Sequence, residues 1–143
     1  MEPPKTKAEL AAQVWKRLFD FIIATASERN RVLGTHDLTP NDSRALFALD
    51  AKVGRTMGSL AEEWSCDASY ATSVVDRLEA RGFAQRRAQP GDRRVKLAQL
   101  TAAGAKLRAS LARELYLPPH ELGELATSDL RALWLAVAKL PAR

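Results

Sequence analysis

Apolar residues recur at helical spacing along the first part of the chain. Leu10, Val14, Leu18, Phe21 and Ile22 form one stripe, and Trp15, Phe19 and Ile23 widen it. The pattern predicts a helix over residues 9–31 with more apolar surface than a solvent-facing arm carries. Residues 34–38 read as a loop. Thr39 followed by Pro40 reads as an N-cap with proline at the first helical position, where its missing N–H costs nothing, and predicts a second helix over 40–51. Beyond a connection containing Gly54, a short helix over 58–64 leads through Ser65, Cys66 and Asp67 into a longer helix over 68–81. Asp67 is its expected N-cap and Gly82 its stop.

The pattern then becomes extended. Residues 83–88 and 95–100 flank Gln89, Pro90, Gly91 and Asp92, a cluster of turn formers of hairpin length. Thr101 caps a predicted helix over 102–116, and Pro118-Pro119 breaks it. A last helix over 128–140 carries Leu130, Leu133, Trp134, Val137 and Leu140. Neither an internal repeat nor a low-complexity segment interrupts this order.

At 143 residues and 46% apolar composition, the chain is long enough for one cooperative core and short for two domains. The net charge of +5 suits a polyanionic partner or mere solubility, so its placement matters more. Residues 81–96 hold Arg81, Arg86, Arg87, Arg93, Arg94 and Lys96 against the single acid Asp92. One cysteine, Cys66, excludes an internal disulfide, and the N-terminus shows no secretory pattern; both fit a reducing cytoplasm. No apolar run approaches the ~20 residues of a bilayer span, so a soluble protein without a membrane partner is expected.

The segment LAEEWSCDASYATSVVDRLEARGF, residues 60–83, places a short helix, a three-residue turn and a longer helix in sequence. That is a helix-turn-helix, whose two helices cross steeply. Leu60, Ala61 and Trp64 can pack inward, Cys66 fills the turn, and Ala71, Val74, Val75 and Leu78 form one apolar stripe. The opposite face shows Ala68, Ser69, Tyr70, Thr72, Ser73, Asp76 and Arg77. Small or hydrogen-bonding residues early in such a helix suit entry into a major groove. Taken alone, the same pattern also describes an ordinary amphipathic surface helix. The hairpin that follows adds Arg86 and Arg87 on its first strand and Arg93 and Arg94 at its tip, where guanidinium groups reach phosphates or the minor groove. Asp92 is expected to pair with Arg94 and stiffen the tip. The predicted fold class is mainly α with a small β-hairpin wing, a winged helix-turn-helix.

Together with the N-terminal helix, the DRR tip and the LTAAG that opens the next helix, this block resembles the MarR family of bacterial regulators over nearly the whole chain. The resemblance implies an obligate dimer built from N- and C-terminal helices, with a recognition helix in each major groove of a palindromic duplex and wings in the flanking minor grooves. Carried over, residues 68–77 form the recognition helix, Ser69, Tyr70, Thr72 and Ser73 face the groove, and Arg93 enters the minor groove. The expected organisation is a single MarR-like domain, 1–143. Residues 1–38 and 101–143 form its helical dimerisation region, and 39–100 its DNA-binding lobe. Dimerisation also follows from the apolar surplus of the terminal helices, including Trp15 and Trp134. The chain departs from the commonest family pattern at Trp64, Ser65 and Gln89.

Small phenolic or aromatic anions are frequent effectors in this family, and by that analogy Trp15, Phe19, His36 and Arg44 are candidates to line a cleft for one. A redox role for Cys66 is set against its simpler reading as a turn filler, since the family's oxidant-sensing cysteine lies in the first helix, where this chain has none. His36 and His120 lack partners at metal-ligand spacing, and no phosphate loop or nucleophile motif is present. Neither cofactor, metal nor enzymatic activity is expected. The leading expectation is a dimeric repressor released by a small-molecule effector. A winged-helix adaptor for protein partners and a nonspecific architectural DNA binder are the alternatives.

Overall fold

A computed structural model describes residues 6–142. In chain order the elements are α1 (Lys7–Ala24), α2 (Ala26–Thr35), α3 (Pro40–Ala48), β1 (Arg55–Thr56), α4 (Met57–Trp64), α5 (Ala68–Ala80), β2 (Ala84–Gln89), β3 (Asp92–Leu100), α6 (Ala102–Leu115), α7 (His120–Gly123) and α8 (Thr127–Val137).

Side-chain caps set most helix starts. Thr6 with Glu9, and Thr39 with Asp42, form reciprocal capping boxes. Thr56, Asp67 and Thr101 each accept a backbone N–H from the first turn of α4, α5 and α6. The helix expected over 9–31 is in fact two. At the break, the Thr25 hydroxyl donates to the Phe21 carbonyl at 2.8 Å, and Arg29 donates to the Thr25 hydroxyl and to the Ile22 carbonyl. Such back-bonding by threonine competes with the helical ladder and bends the chain, an effect that apolar periodicity does not register.

The sheet has the order β1-β3-β2, with all pairings antiparallel. The wing is longer than expected: its strands run to Gln89 and from Asp92, leaving Pro90 and Gly91 at the tip, with Gly91 at φ 88°. Two-residue hairpin turns require positive φ, which glycine supplies without steric cost. β1 and α7 are additions the sequence pattern did not yield, being two and four residues long. Gly104 has a packing role, because a Cβ there would lie 1.9 Å from the Phe83 carbonyl oxygen. Only glycine lets α6 approach the start of the wing this closely.

The core runs from Val32 to Leu111. Its most enclosed members are Leu46, Leu49, Leu60, Val74, Val75, Leu78, Leu100 and Leu111, drawn from α3 and its C-cap, α4, α5, β3 and α6. By contrast, α1, α7 and α8 contribute no buried residue. Among the described residues, no helix is long and apolar enough to cross a membrane.

Candidate nucleic-acid interface

Helix α5 begins where the Asp67 carboxylate accepts the Tyr70 N–H at 2.7 Å. Ser65, just before, adopts φ 53°, the left-handed conformation that turns the chain between α4 and α5. Ala71, Val74, Val75 and Leu78 are buried, as their spacing predicts, and anchor one face of α5 to the core. On the other face, Ser69, Tyr70, Ser73, Asp76 and Arg77 are exposed and Thr72 is half-buried. The early residues of this face are small or polar except Tyr70, which is 42% exposed.

The basic residues divide by what they touch. Arg93 and Arg94 stand exposed at the wing tip, and among the described residues neither guanidinium has a hydrogen bond or ion pair. The expected Asp92–Arg94 side-chain pair is replaced by a backbone contact: the Asp92 carboxylate accepts the Arg94 N–H at 3.1 Å. Asp92 thus fixes the turn and leaves the guanidinium available. Arg87 lies on the sheet side away from α5, in a groove of about 430 Å³ shared with Lys52, Val53 and Pro90.

Arg86 and Arg77, also in the set expected to touch DNA, are both engaged with carboxylates. Arg86 reaches Asp76 at 2.7 Å and Glu79 at 3.1 Å, both on α5. Arg77 reaches Asp42 on α3 at 2.7 Å. Burial alone would raise the Asp42 pKa, but the Thr39 N–H, the Arg77 guanidinium and the Thr39 hydroxyl outweigh it and hold the carboxyl below its ordinary range. Asp50 is likewise lowered, by the N–H groups of Val53 and Lys52, which close the turn before β1.

Sequence reasoning missed several arginines that tie elements together. Arg81, at the C-cap of α5, donates to the carbonyls of Asp37 and His36 at 2.7 and 3.0 Å and lies over the Phe83 ring. Arg55 bonds the Glu63 carboxylate and the Ser59 carbonyl, fastening β1 to α4, and Arg108 donates to the Leu49 carbonyl at 2.5 Å. Apart from the Glu63 carboxylate, each acceptor is a backbone carbonyl, so no local motif marks these contacts.

The four effector candidates have separate partners. Trp15 and Phe19 pack ring to ring on α1 with centroids 6.0 Å apart, His36 bonds Glu114 at 2.8 Å, and Arg44 lies over the Trp64 ring at 5.8 Å. A cavity of about 560 Å³ lies between α2 and the segment joining α6 to α7, and it is lined by none of the four. Cys66 is half-buried, and its N–H bonds the Ala61 carbonyl.

The family model described as the MarR family matches residues 36–95, from the turn before α3 into the wing. This stretch is similar to the MarR family in sequence. MarR-family proteins are transcriptional regulators rather than enzymes. Solved MarR-like folds resemble the chain over most of its length. MarR of E. coli in its apo form is 24% identical, with 88% of this chain and 96% of that one covered and a TM-score of 0.71. YusO of Bacillus subtilis is 22% identical, with 95% and 97% covered and a TM-score of 0.72. MepR of S. aureus in complex with DNA is 21% identical, with 87% and 99% covered and a TM-score of 0.62. A comparison with curated proteins returned no match.

Proposed function

We propose that this chain is a dimeric, sequence-specific double-stranded DNA-binding transcriptional regulator, acting as a repressor that a small aromatic anion releases. The observation that carries the reading is the junction of α5 and the wing. A helix with small polar residues on its exposed face runs directly into a hairpin whose tip arginines, Arg93 and Arg94, are unengaged. Ser69, Tyr70, Thr72 and Ser73 are the base-reading candidates, and Arg93 and Arg94 the backbone or minor-groove contacts. A relative of this fold, MepR, has been seen in complex with DNA.

Dimerisation is supported by α1 and α8, whose apolar stripes are uncovered: Trp15 is 65% and Trp134 67% exposed. In this reading 39–100 is the DNA-binding lobe, and 1–38 with 101–143 forms the dimerisation region of a cytoplasmic protein. Two-fold symmetry then demands a palindromic operator. An effector that altered the separation of the two α5 helices would lower affinity for a fixed half-site spacing. Trp15, Phe19, His36 and Arg44 are its candidate contacts once a second copy is in place.

Selection of random duplex DNA on the purified protein tests this. The expected result is one enriched palindrome that outcompetes nonspecific duplex at fixed salt. Binding without an enriched motif would instead establish an architectural binder, and absence of binding in effector-free buffer would favour the adaptor.

A further inference from the structure

Helix α5 carries adjacent opposite charges, Asp76 and Arg77, and a different neighbouring element takes each. On one flank Asp42, fixed in the capping box of α3 with its side chain only 8% exposed, accepts from Arg77 through both Nε and Nη2 at 3.2 and 2.7 Å. On the other flank Arg86 of β2, with its side chain 20% exposed, bridges Asp76 and Glu79, which lie three residues apart on one helix face. β-Strand alternation explains why Arg86 faces α5 while Arg87 does not.

We infer that Arg77 and Arg86 are positioning residues, which lock α5 to α3 and to the wing so that helix and wing tip meet the duplex as one rigid unit. The inference rests on the proposed DNA-binding function. A guanidinium shared between two carboxylates has its charge already compensated. Moving Arg86 onto a phosphate would leave Asp76 and Glu79 unpaired beside a polyanion, a like-charge arrangement that opposes binding. Kept in place, Arg86 masks those two acids and holds β2 against α5. Arg93 and Arg94, with no carboxylate partner, are left to neutralise phosphates.

The two roles differ in salt dependence. A side chain that neutralises a phosphate contributes about 0.9 to the slope of log affinity against log salt, whereas a positioning residue changes affinity without changing that slope. With the full chain and the duplex enriched by selection, Arg86→Ala is expected to weaken binding about tenfold at unchanged slope, while Arg93→Ala lowers the slope by about 0.9. Arg86→Glu weakens binding further, and adding Glu79→Arg to it restores at least about tenfold, although Glu79→Arg alone gives no gain. Without DNA, amide exchange in β2 and β3 accelerates in Arg86→Ala and not in Arg93→Ala. A reduced slope for Arg86→Ala, no recovery in the exchanged pair, or unchanged exchange in the wing would each overturn the inference. Failure of the wild-type protein to enrich a motif would instead count against the proposed function, and the exchange measurement still judges the role of Arg86.

Discussion

The lobe between Val32 and Leu111 and the terminal helices α1 and α8 are written in the same apolar alphabet, yet they end in opposite environments. The lobe closes its leucines and valines into one core, with Leu46, Leu60, Val75 and Leu78 fully enclosed by the chain itself. Along α1 and α8, equally apolar residues such as Val14, Ile22, Ile23, Trp134 and Leu135 face outward. Burying apolar surface yields roughly 25 cal/mol per Å², so leaving two such stripes wet forgoes a large stabilisation. The lobe thus closes its core within one chain, whereas the terminal helices leave their stripes open, as the proposed dimer requires.

The largest effect expected from breaking this contrast lies in the terminal helices. Trp15→Asp combined with Trp134→Asp should weaken self-association by ~1,000-fold or more, about 4 kcal/mol, because two aromatic anchors are lost and two charges are buried. Sedimentation would then show monomers whose circular dichroism is unchanged. Should those monomers be unfolded, the lobe is not self-sufficient and the contrast fails.

Within the lobe, Leu78→Ala removes a fully buried side chain and should cost about 3 kcal/mol in urea unfolding. A smaller effect attends Arg77→Met, which unpairs Asp42. Because Arg77 is half-exposed, the loss should be about 1–2 kcal/mol rather than the larger cost of a fully buried pair. The pH dependence has a definite sign. The Asp42 carboxyl titrates below its ordinary value of 3.8 when folded, so its contribution is present at neutral pH and lost as pH falls below about 4. The stability gap between wild type and Arg77→Met should accordingly narrow in acid; a gap that widened there would contradict the assigned pair. Smallest in stability terms is Arg93→Ala, which should leave the unfolding midpoint within ~0.5 kcal/mol of wild type while lowering the salt slope of DNA binding.

The lobe was the more legible region, and physics explains why. Strong local signals fixed α5: Asp67 as cap, a stripe from Ala71 to Leu78 and Gly82 as stop place it within one residue of its observed end. Turn formers mark the wing in the sequence, but its strands extend further because cross-strand pairing outlasts the local pattern. The break at Thr25 leaves no mark in the apolar stripe, since it depends on side-chain to backbone bonds from Thr25 and Arg29. β1 gains its identity only by pairing with Ala98 and Leu97 on β3, far along the chain. In the site, composition located the arginines but not their division. Only the fold brings Asp42 to Arg77 and Arg86 to Asp76, 35 residues apart in the first case. The effector candidates are the least legible, because Trp15 and Phe19 pair with each other on the exposed α1 while His36 and Arg44 are engaged elsewhere.

Sedimentation equilibrium of the purified chain, alone and with the duplex that selection enriches, reads out whether α1 and α8 join two copies. The expected result is a mass of two chains at micromolar concentration and a complex of two chains on one palindromic duplex. A stable, folded monomer that binds a single half-site with undiminished affinity would contradict the account.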